Sequence, residues 1–562
     1  MNIATYAATV GLEKFVLVAP KSAEYSVRSS AERHVYRETG RPVLTLMDRA
    51  SRPRIKAPFH WFGHVICTQP QVLDGIYWCM DLIGAGYFYA HLPTQQGTRR
   101  VTLPAQLMRN LLTRLGWRQS FKATLAPKLA PRHRPHHYQP VPARVLMLSA
   151  ELAQGGAERQ MLVTAKGLVQ RGYDVQMIAF DKTAPKVPTF REEFDKLGIA
   201  AQILPALTGE SRAADFTLLN NEHFSEVMPR FPQWFADLIC RVAGAIENHR
   251  PWVVHGWLDK PGLISALAAV ELGVPRIVIS FGSLPLTHHN VVFPSFLKPA
   301  YAAIARHPNV TLLNNSAAGA KGYERWIGLP KGGIRVIRNG FLHEHMPTPA
   351  PHEVAEFRAR LEVSPAQPLV GALMRLCPQK DPALWLATAA DIAKVRPDVV
   401  FGIWGHGPLQ DEIERRVNEL GLRDRMRLPG HIMTPGLAYA ACDAVLLTSS
   451  VEGLPNTLIE AQAAGCPVVT TSVGGAREAI ADGVTGIVVR QRSPRKLRDA
   501  VLAILRDRSW RERARRQGPI FIRDNFGFEQ MIDETIEVYD REGRAPASNR
   551  LAHSMRRFGT LM

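Results

Sequence analysis

Two glutamates, Glu452 and Glu460, stand eight positions apart in the segment V-E-G-L-P-N-T-L-I-E-A-Q-A-A-G over residues 451–465. Pro455 and Gly465 punctuate a helix that begins near Asn456, since proline suits the first helical turn and glycine the position just past the end. An apolar, strand-like run over 444–447 precedes it. A helix that starts where a strand ends turns its free N–H groups toward the strand's carboxyl edge, and those groups suit a diphosphate. Two carboxylates can also be the pair of a glycoside hydrolase. Eight helical residues rise roughly 12 Å, whereas a hydrolase pair needs roughly 5–9.5 Å across one sugar. Separate contacts along an extended ligand fit the spacing better, with Glu460 on a ribose and Glu452 on a sugar. Taken alone, a solvated helix carrying two glutamates accounts for the same letters.

The neighbours favour the ligand. The run M-R-L-C-P-Q-K over 374–380 follows another strand and brings Arg375 and Lys380 to the rim that carries Glu452. A diphosphate leaving group carries about two negative charges, which fixed cations stabilise when no metal does so. Charge-assisted hydrogen bonds contribute roughly 1.5–3 kcal/mol each. The chain contains no D-x-D signature for a divalent ion and no metal-ligand spacing among its cysteines and histidines. The Arg/Lys pair is therefore the expected substitute, and neither a metal nor another cofactor is anticipated.

These residues need a scaffold, and the sequence supplies one twice. From residue 144 onward strands and helices alternate: strands over 144–150, 173–180, 252–255, 276–280 and 310–314, with helices over 157–171 and 262–272 among them. The segment I-R-V-I-R-N-G over 334–340 closes this series. A second begins at Leu369, with strands over 369–374, 399–404, 426–428, 444–447, 467–471 and 486–489. Such alternation implies parallel sheets covered on both faces. Ligands of these sheets bind beyond the carboxyl ends of the strands, so the cleft between two such halves is the expected site.

Residues 1–125 read as a small α/β unit, with strands over 15–19 and 43–47 and a polar helix over 23–38. A basic amphipathic helix is predicted over 103–122, where Leu107, Leu111, Leu112 and Leu115 share a face among Arg109, Arg114, Arg118 and Lys122. Helices of that kind lie on anionic membrane surfaces or pack on their own domain. Five prolines among residues 126–142 preclude regular structure and mark a linker.

The chain has 562 residues and a formal net charge of +19, of which residues 1–140 hold 19 Lys+Arg against 7 Asp+Glu. That length suggests about three units. The basic balance admits nucleic acid, anionic lipid or an acidic substrate as a partner, or a solvated surface with none. Six cysteines without a C-x-x-C pair fit a reducing cytoplasm better than a disulfide framework. No secretory signal is visible near Met1. The apolar stretch over 76–92 falls short of the ~20 residues that a spanning helix needs.

The motifs resemble those of the group-1, or family-four, retaining glycosyltransferases of bacterial polysaccharide biosynthesis. The likeness is dense across 335–489: Asn339-Gly340, the R-x-x-x-x-K pair, G-H-G-P over 405–408, the two spaced glutamates, and A-A-G-C-P-V-V-T-T-S-V-G-G-A-R-E-A-I-A-D-G-V-T-G. The resemblance implies a GT-B fold, two facing Rossmann-like domains over 143–338 and 339–522, preceded here by the extra N-terminal α/β unit. The tail from 523 would cross back onto the first half. It further implies that Arg375 and Lys380 bind donor phosphates, that Glu452 holds the donor sugar and Glu460 the ribose. Gly453, Leu454, Pro455, Asn456 and Thr457 would present their backbone to the diphosphate. Gly405 and His406, the latter where the family usually has an acidic residue, would lie on the donor side, and His431 and Ile432 would border the nucleobase. Gly155 and Gly156 in Q-G-G-A-E-R look like the family's glycine loop.

One position departs from the family. Many members carry a histidine where this chain has Gly282; His255, His288 and His289 are the candidates to replace it on the acceptor side. The implied reaction is retaining transfer from a nucleoside-diphosphate sugar to a hydroxyl of a growing, lipid-linked glycan, at the cytoplasmic face of a membrane, with no nucleic acid involved. The alternatives are a non-catalytic scaffold of the same fold, a nucleotide-sugar epimerase, and, on charge alone, a nucleic-acid-binding protein.

Overall fold

The computed structural model describes residues 138–180, 189–204, 231, 233–289, 296–432 and 434–540, and five strand segments within the first 104 residues. The chain divides into two compact units, one of residues 1–128 with 286–301 and the other of 129–285 with 302–562. The expected boundary at 125 therefore moves by three residues, and the first unit also takes in a segment from within the predicted acceptor half.

The first unit contains strands β1 (Val16–Val18), β2 (Val43–Leu44), β3 (His64–Ile66), β4 (Tyr87–Thr94) and β5 (Gly97–Pro104), in the sheet order β2-β1-β3-β4-β5. The strands predicted over 15–19 and 43–47 are present in shortened form. The β4–β5 hairpin was not anticipated; its antiparallel register closes with Thr94 opposite Gly97. Leu103 and Pro104 end β5 rather than begin a helix, because both pair across the hairpin with Phe88 and Tyr87. The rest of the helix predicted over 103–122, and the helix over 23–38, lie outside the described residues.

The second unit holds two parallel sheets. In the first, the elements run β6 (Val141–Ser149), α1 (Gly156–Gln170), β7 (Asp174–Ala179), α2 (Arg191–Lys196), β8 (Ala201–Ile203), α3 (Gln233–His249), β9 (Pro251–Trp257), α4 (Asp259–Glu271), β10 (Arg276–Phe281), α5 (Leu297–Ile304, whose residues up to Tyr301 fall in the first unit), β11 (Val310–Asn314), α6 (Ala317–Ile327) and β12 (Arg335–Val336). Their sheet order is β12-β11-β10-β9-β6-β7-β8. The chain winds outward in one direction from β6 and then in the other from β9, so the crevice of this sheet opens between those two strands. The proline-rich linker ends earlier than expected. Val141 and Pro142 already belong to β6, since Val141 N–H bonds to the Arg250 carbonyl at 2.7 Å. A register shift between Val141 and Val145 absorbs the proline.

The second sheet follows α7 (Pro351–Arg360) with β13 (Leu369–Leu373), α8 (Pro382–Val395), β14 (Val400–Trp404), α9 (Gln410–Glu419), β15 (Met426–Gly430), α10 (Pro435–Ala441), β16 (Ala444–Leu447), α11 (Asn456–Ala463), β17 (Val468–Thr471), β18 (Gly486–Val489) and α12 (Pro494–Arg506). Its order, β15-β14-β13-β16-β17-β18, puts the crevice between β13 and β16. The central strands β13, β14 and β16 are apolar throughout because helices cover both faces. Trp385, Phe401 and Leu446 lie in the core on one side; Trp404, Val445 and Leu458 lie in the core on the other. Truncating a fully buried tryptophan such as Trp385 removes about 3–5 kcal/mol of stability.

The predicted return of the tail is present. Helix α13 (Arg508–Asn525) stays with the second sheet, and α14 (Phe528–Tyr539) packs on α1 of the first. Arg171, at the end of α1, pairs with Asp533 at 2.5 Å and with Glu529. Met531, Ile532 and Tyr539 join the core of the first sheet. No helix among the described residues is long and apolar enough to cross a membrane.

Candidate active site

The two strands that flank the crevice of the second sheet carry the predicted donor residues. After β13 the chain makes a short 3-10 turn over Pro378–Lys380, and Asp381 follows in the left-handed region at φ 47°. Aspartate tolerates that conformation better than most residues. It is secured there by two bonds: its carboxylate accepts from Leu384 N–H at 3.1 Å, which caps α8, and from Arg492 at 2.6 Å. The turn is stitched to the loop after β16. Thr448 donates to the Lys380 and Asp381 carbonyls at 3.2 and 3.0 Å, Ser450 N–H to the Gln379 carbonyl at 2.8 Å, and the Gln379 amide to the Val451 carbonyl at 3.1 Å. This lattice aims Lys380 Nζ at Glu452 Oε1, 2.5 Å away, with Glu452 only 5% exposed. Arg375, on the same loop, is exposed and makes no ion pair among the described residues.

Behind Glu452 the backbone is crowded. A methyl group added to Gly474 would meet the Glu452 carbonyl, and one added to Gly453 would come within 2.5 Å of the Gly282 carbonyl and 2.8 Å of Asn315 Oδ1. Gly453 therefore marks the place where the two sheets' loops touch. The G-H-G-P loop serves the same rim. Gly405 has φ 134°, which only glycine adopts readily, and lies against the Met374 carbonyl. His406 Nε2 accepts the His431 N–H at 3.0 Å, so this histidine ties its loop to the one that contains His431 and Ile432. Ile432 packs against the core beneath.

Helix α11 begins at Asn456, as predicted. The Asn456 side chain is committed to joining the halves: it donates to the Gly156 carbonyl at 3.1 Å and accepts from Asn339 at 2.7 Å and Gln160 at 3.4 Å. Thr457 donates to the Leu373 carbonyl at 3.1 Å, and Leu454 and Pro455 are buried. What this segment offers a ligand is the free N–H groups of its first turn. Glu460 is held on both oxygens. Arg159 of α1 reaches across from the first sheet to Oε1 at 2.5 Å, and Tyr439 donates to Oε2 at 3.0 Å. A further cross-link joins Glu478 to the N-terminus of α6, where Ala317 and Ala318 N–H both donate at 2.8 Å.

Sequence reasoning missed Arg159, Tyr439 and Glu478. Arg159 had a signal, since it sits in the G-G-A-E-R run that was read only as a glycine loop. Glu158 in the same run was also passed over. It is 9% exposed, and burial pushes its carboxyl up to about 7; Glu151 adds to that rise, while its own backbone N–H and Arg375 oppose it.

The acceptor side needs a correction. His255 is 1% exposed and cannot reach an acceptor. Its Nδ1 bonds to Tyr539 and its Nε2 to Ser280, each at 2.7 Å, and burial pushes its pKa down to about 3. It is a neutral core residue that fastens α14 to the sheet. His288 and His289 fall in the 286–301 segment of the first unit, on or just past a 3-10 turn at Leu286–His288. Gly282 lies beside Leu258 and Ala157, with its carbonyl against Gly453.

The arrangement juxtaposes the paired Lys380, the exposed Arg375, a buried carboxylate and a helix N-terminus at the crevice of one parallel sheet, with a glycine loop of a second sheet opposite. Comparison with known proteins identifies this architecture. The family model of glycosyl transferases group 1 matches residues 353–520, and that of the glycosyl transferase 4-like domain matches 155–340. A D-inositol 3-phosphate glycosyltransferase of Nocardia farcinica is 30% identical over 403 residues, covering 67% of this chain and 84% of that protein. The Vi polysaccharide biosynthesis protein VipC/TviE of Salmonella typhi is 25% identical over 417 residues, 71% of this chain and 72% of that one. Among solved structures, Anabaena HepE in complex with UDP and glucose superposes with a TM-score of 0.59 at 20% identity, covering 71% of this chain and 99% of its own. WaaG, a glycosyltransferase involved in lipopolysaccharide biosynthesis, does so at 0.52 and 15%, covering 70% and 99%. The fold is GT-B, and the chain belongs to the group 1 glycosyltransferases.

Proposed function

We propose that the enzyme transfers a sugar, with retention at the anomeric carbon, from a nucleoside-diphosphate sugar to a hydroxyl of a growing glycan in polysaccharide or lipopolysaccharide assembly. The observation that carries the donor reading is the Lys380–Glu452 contact at the crevice of the second sheet, with Arg375 free on the same loop. The names of the relatives support the glycan setting, and the complexes of HepE with UDP and UDP-glucose support a nucleoside diphosphate as carrier. A lipid-linked acceptor reached from the inner face of the membrane fits the basic N-terminal region.

In this reading Arg375 and Lys380 hold the diphosphate together with the first N–H groups of α11, and no metal takes part. Glu452 holds a donor-sugar hydroxyl. A carboxylate offers about four lone-pair positions, so Glu460 retains room for a ribose hydroxyl beside Arg159 and Tyr439. The bond between the anomeric carbon and the phosphate oxygen breaks. The acceptor oxygen bonds to the same face of that carbon, and its proton passes to the departing phosphate. The protein contributes placement and electrostatic stabilisation.

A thermal-shift panel of UDP-, GDP-, ADP- and dTDP-sugars on wild type and Arg375→Ala tests this. One nucleotide class should stabilise the wild type, by about 2.7 kcal/mol at roughly 100 times its dissociation constant, and the variant much less. No stabilisation by any class would refute the donor reading.

A further inference from the structure

Glu158 is a buried carboxyl group that the donor reading does not use. It lies in the first turn of α1, beyond the carboxyl end of β6, one of the two strands that flank the crevice of the first sheet. Its carboxylate folds back over the glycine loop; a methyl group added to Gly155 would strike Glu158 Oε2 at 2.3 Å, so glycine there makes the room. Among the described residues the one donor to this carboxylate is its own backbone N–H. No other group among the described residues donates to it, and its oxygens are not sealed from solvent, so its remaining lone-pair positions are open to a ligand. Its neighbour Arg159 turns the other way, to Glu460. The groups that face Glu158 are Glu151, from the loop after β6, and Arg375, from the opposite half.

A ligand that fills those positions is a hydrogen-bond donor in the field of Arg375. A phosphate supplies only acceptors and would be repelled. A sugar presents several hydroxyls, and one of them can give its hydrogen bond to Glu158 while the hydroxyl beside it keeps its own proton for the leaving phosphate on Arg375. We propose that Glu158 holds the acceptor by a hydroxyl next to the attacking one, a role that rests on the transfer reading above. The residue positions the acceptor, and the proton of the attacking hydroxyl goes to the departing phosphate. The position of Ala157 beside Gly282, whose carbonyl abuts Gly453, sets this loop along the seam where donor and acceptor must meet.

The test uses methyl α-D-glucopyranoside as a hydroxyl probe. Its binding is followed by saturation-transfer NMR on the full chain saturated with the nucleoside diphosphate that the panel selects. If no nucleoside diphosphate binds, the donor reading has failed on its own, and the same titration is made on the free chain. The probe should bind wild type and weaken by about tenfold or more in both Glu158→Gln and Glu158→Ala. Nucleoside diphosphate affinity should hold or rise, since a negative charge near Arg375 is removed. An ionised carboxylate accepts more strongly than a neutral one, so wild-type affinity for the probe should climb as pH rises through about 7, and Glu158→Gln should show no such climb. Unchanged probe affinity in both variants, no probe binding to wild type, or joint loss of probe and nucleotide would each overturn the proposal.

Discussion

The donor and acceptor halves of the second unit share a fold but differ in how their charged groups are satisfied. On the donor half every predicted carboxylate has a protein partner: Glu452 has Lys380, and Glu460 has Arg159 and Tyr439. Their positions are set before a ligand arrives, which is how a site stabilises a recurring leaving group without reorganising. On the acceptor half Glu158, a buried carboxyl beyond the end of β6, has only its own amide among the described residues, and His255 is fully used by Tyr539 and Ser280. A diphosphate imposes the same demands in every such enzyme, whereas the acceptor varies. In the proposed reading the fixed half faces the constant ligand and the incomplete half the variable one.

That contrast can be broken at either side. The largest effect is expected at Glu452. Glu452→Gln leaves Lys380 near the donor sugar without its partner charge, and turnover should fall by about a hundredfold or more, while the nucleoside diphosphate still binds. Unchanged turnover, measured as diphosphate release, would remove Glu452 from the site. A smaller effect is expected on stability at Glu158. Its folded pKa of about 7 lies above the ordinary 4.5, so the unfolded chain ionises first and stability falls as pH rises between those values. Glu158→Gln should remove that slope, leaving the variant more stable than wild type at about pH 8 by on the order of 1–3 kcal/mol and converging with it toward about pH 4.5. Parallel denaturation curves at both pH values would contradict the burial of an unsatisfied carboxyl.

The same contrast explains what could be read from the sequence. The strands of both parallel sheets are legible because burial on two faces makes them continuous apolar runs, as in 369–373 and 444–447. The gathering of Lys380 with Glu452 on one rim is legible because both keep fixed spacings from those strands. Partners from distant parts of the chain were not: Tyr439 reaches Glu460 from another helix, and Arg159 crosses from the other sheet. Asn456 is expected to offer its backbone N–H at the helix start; that its side chain also joins Gly156, Asn339 and Gln160 was not legible. His255 read as an acceptor candidate because it ends an apolar run; the helix that buries it comes 284 residues later. Such contacts belong to tertiary packing, which local periodicity does not encode.

The central claim is that fixed cations of the donor half, without a metal, hold a nucleoside diphosphate. It is tested most directly by calorimetric titration of the stabilising nucleoside diphosphate into wild type and Lys380→Ala, with and without EDTA. The account predicts that wild-type affinity is the same in EDTA and at least about tenfold weaker in the variant. Affinity that collapses in EDTA and returns with Mg²⁺, or that survives the loss of Lys380 unchanged, would contradict it.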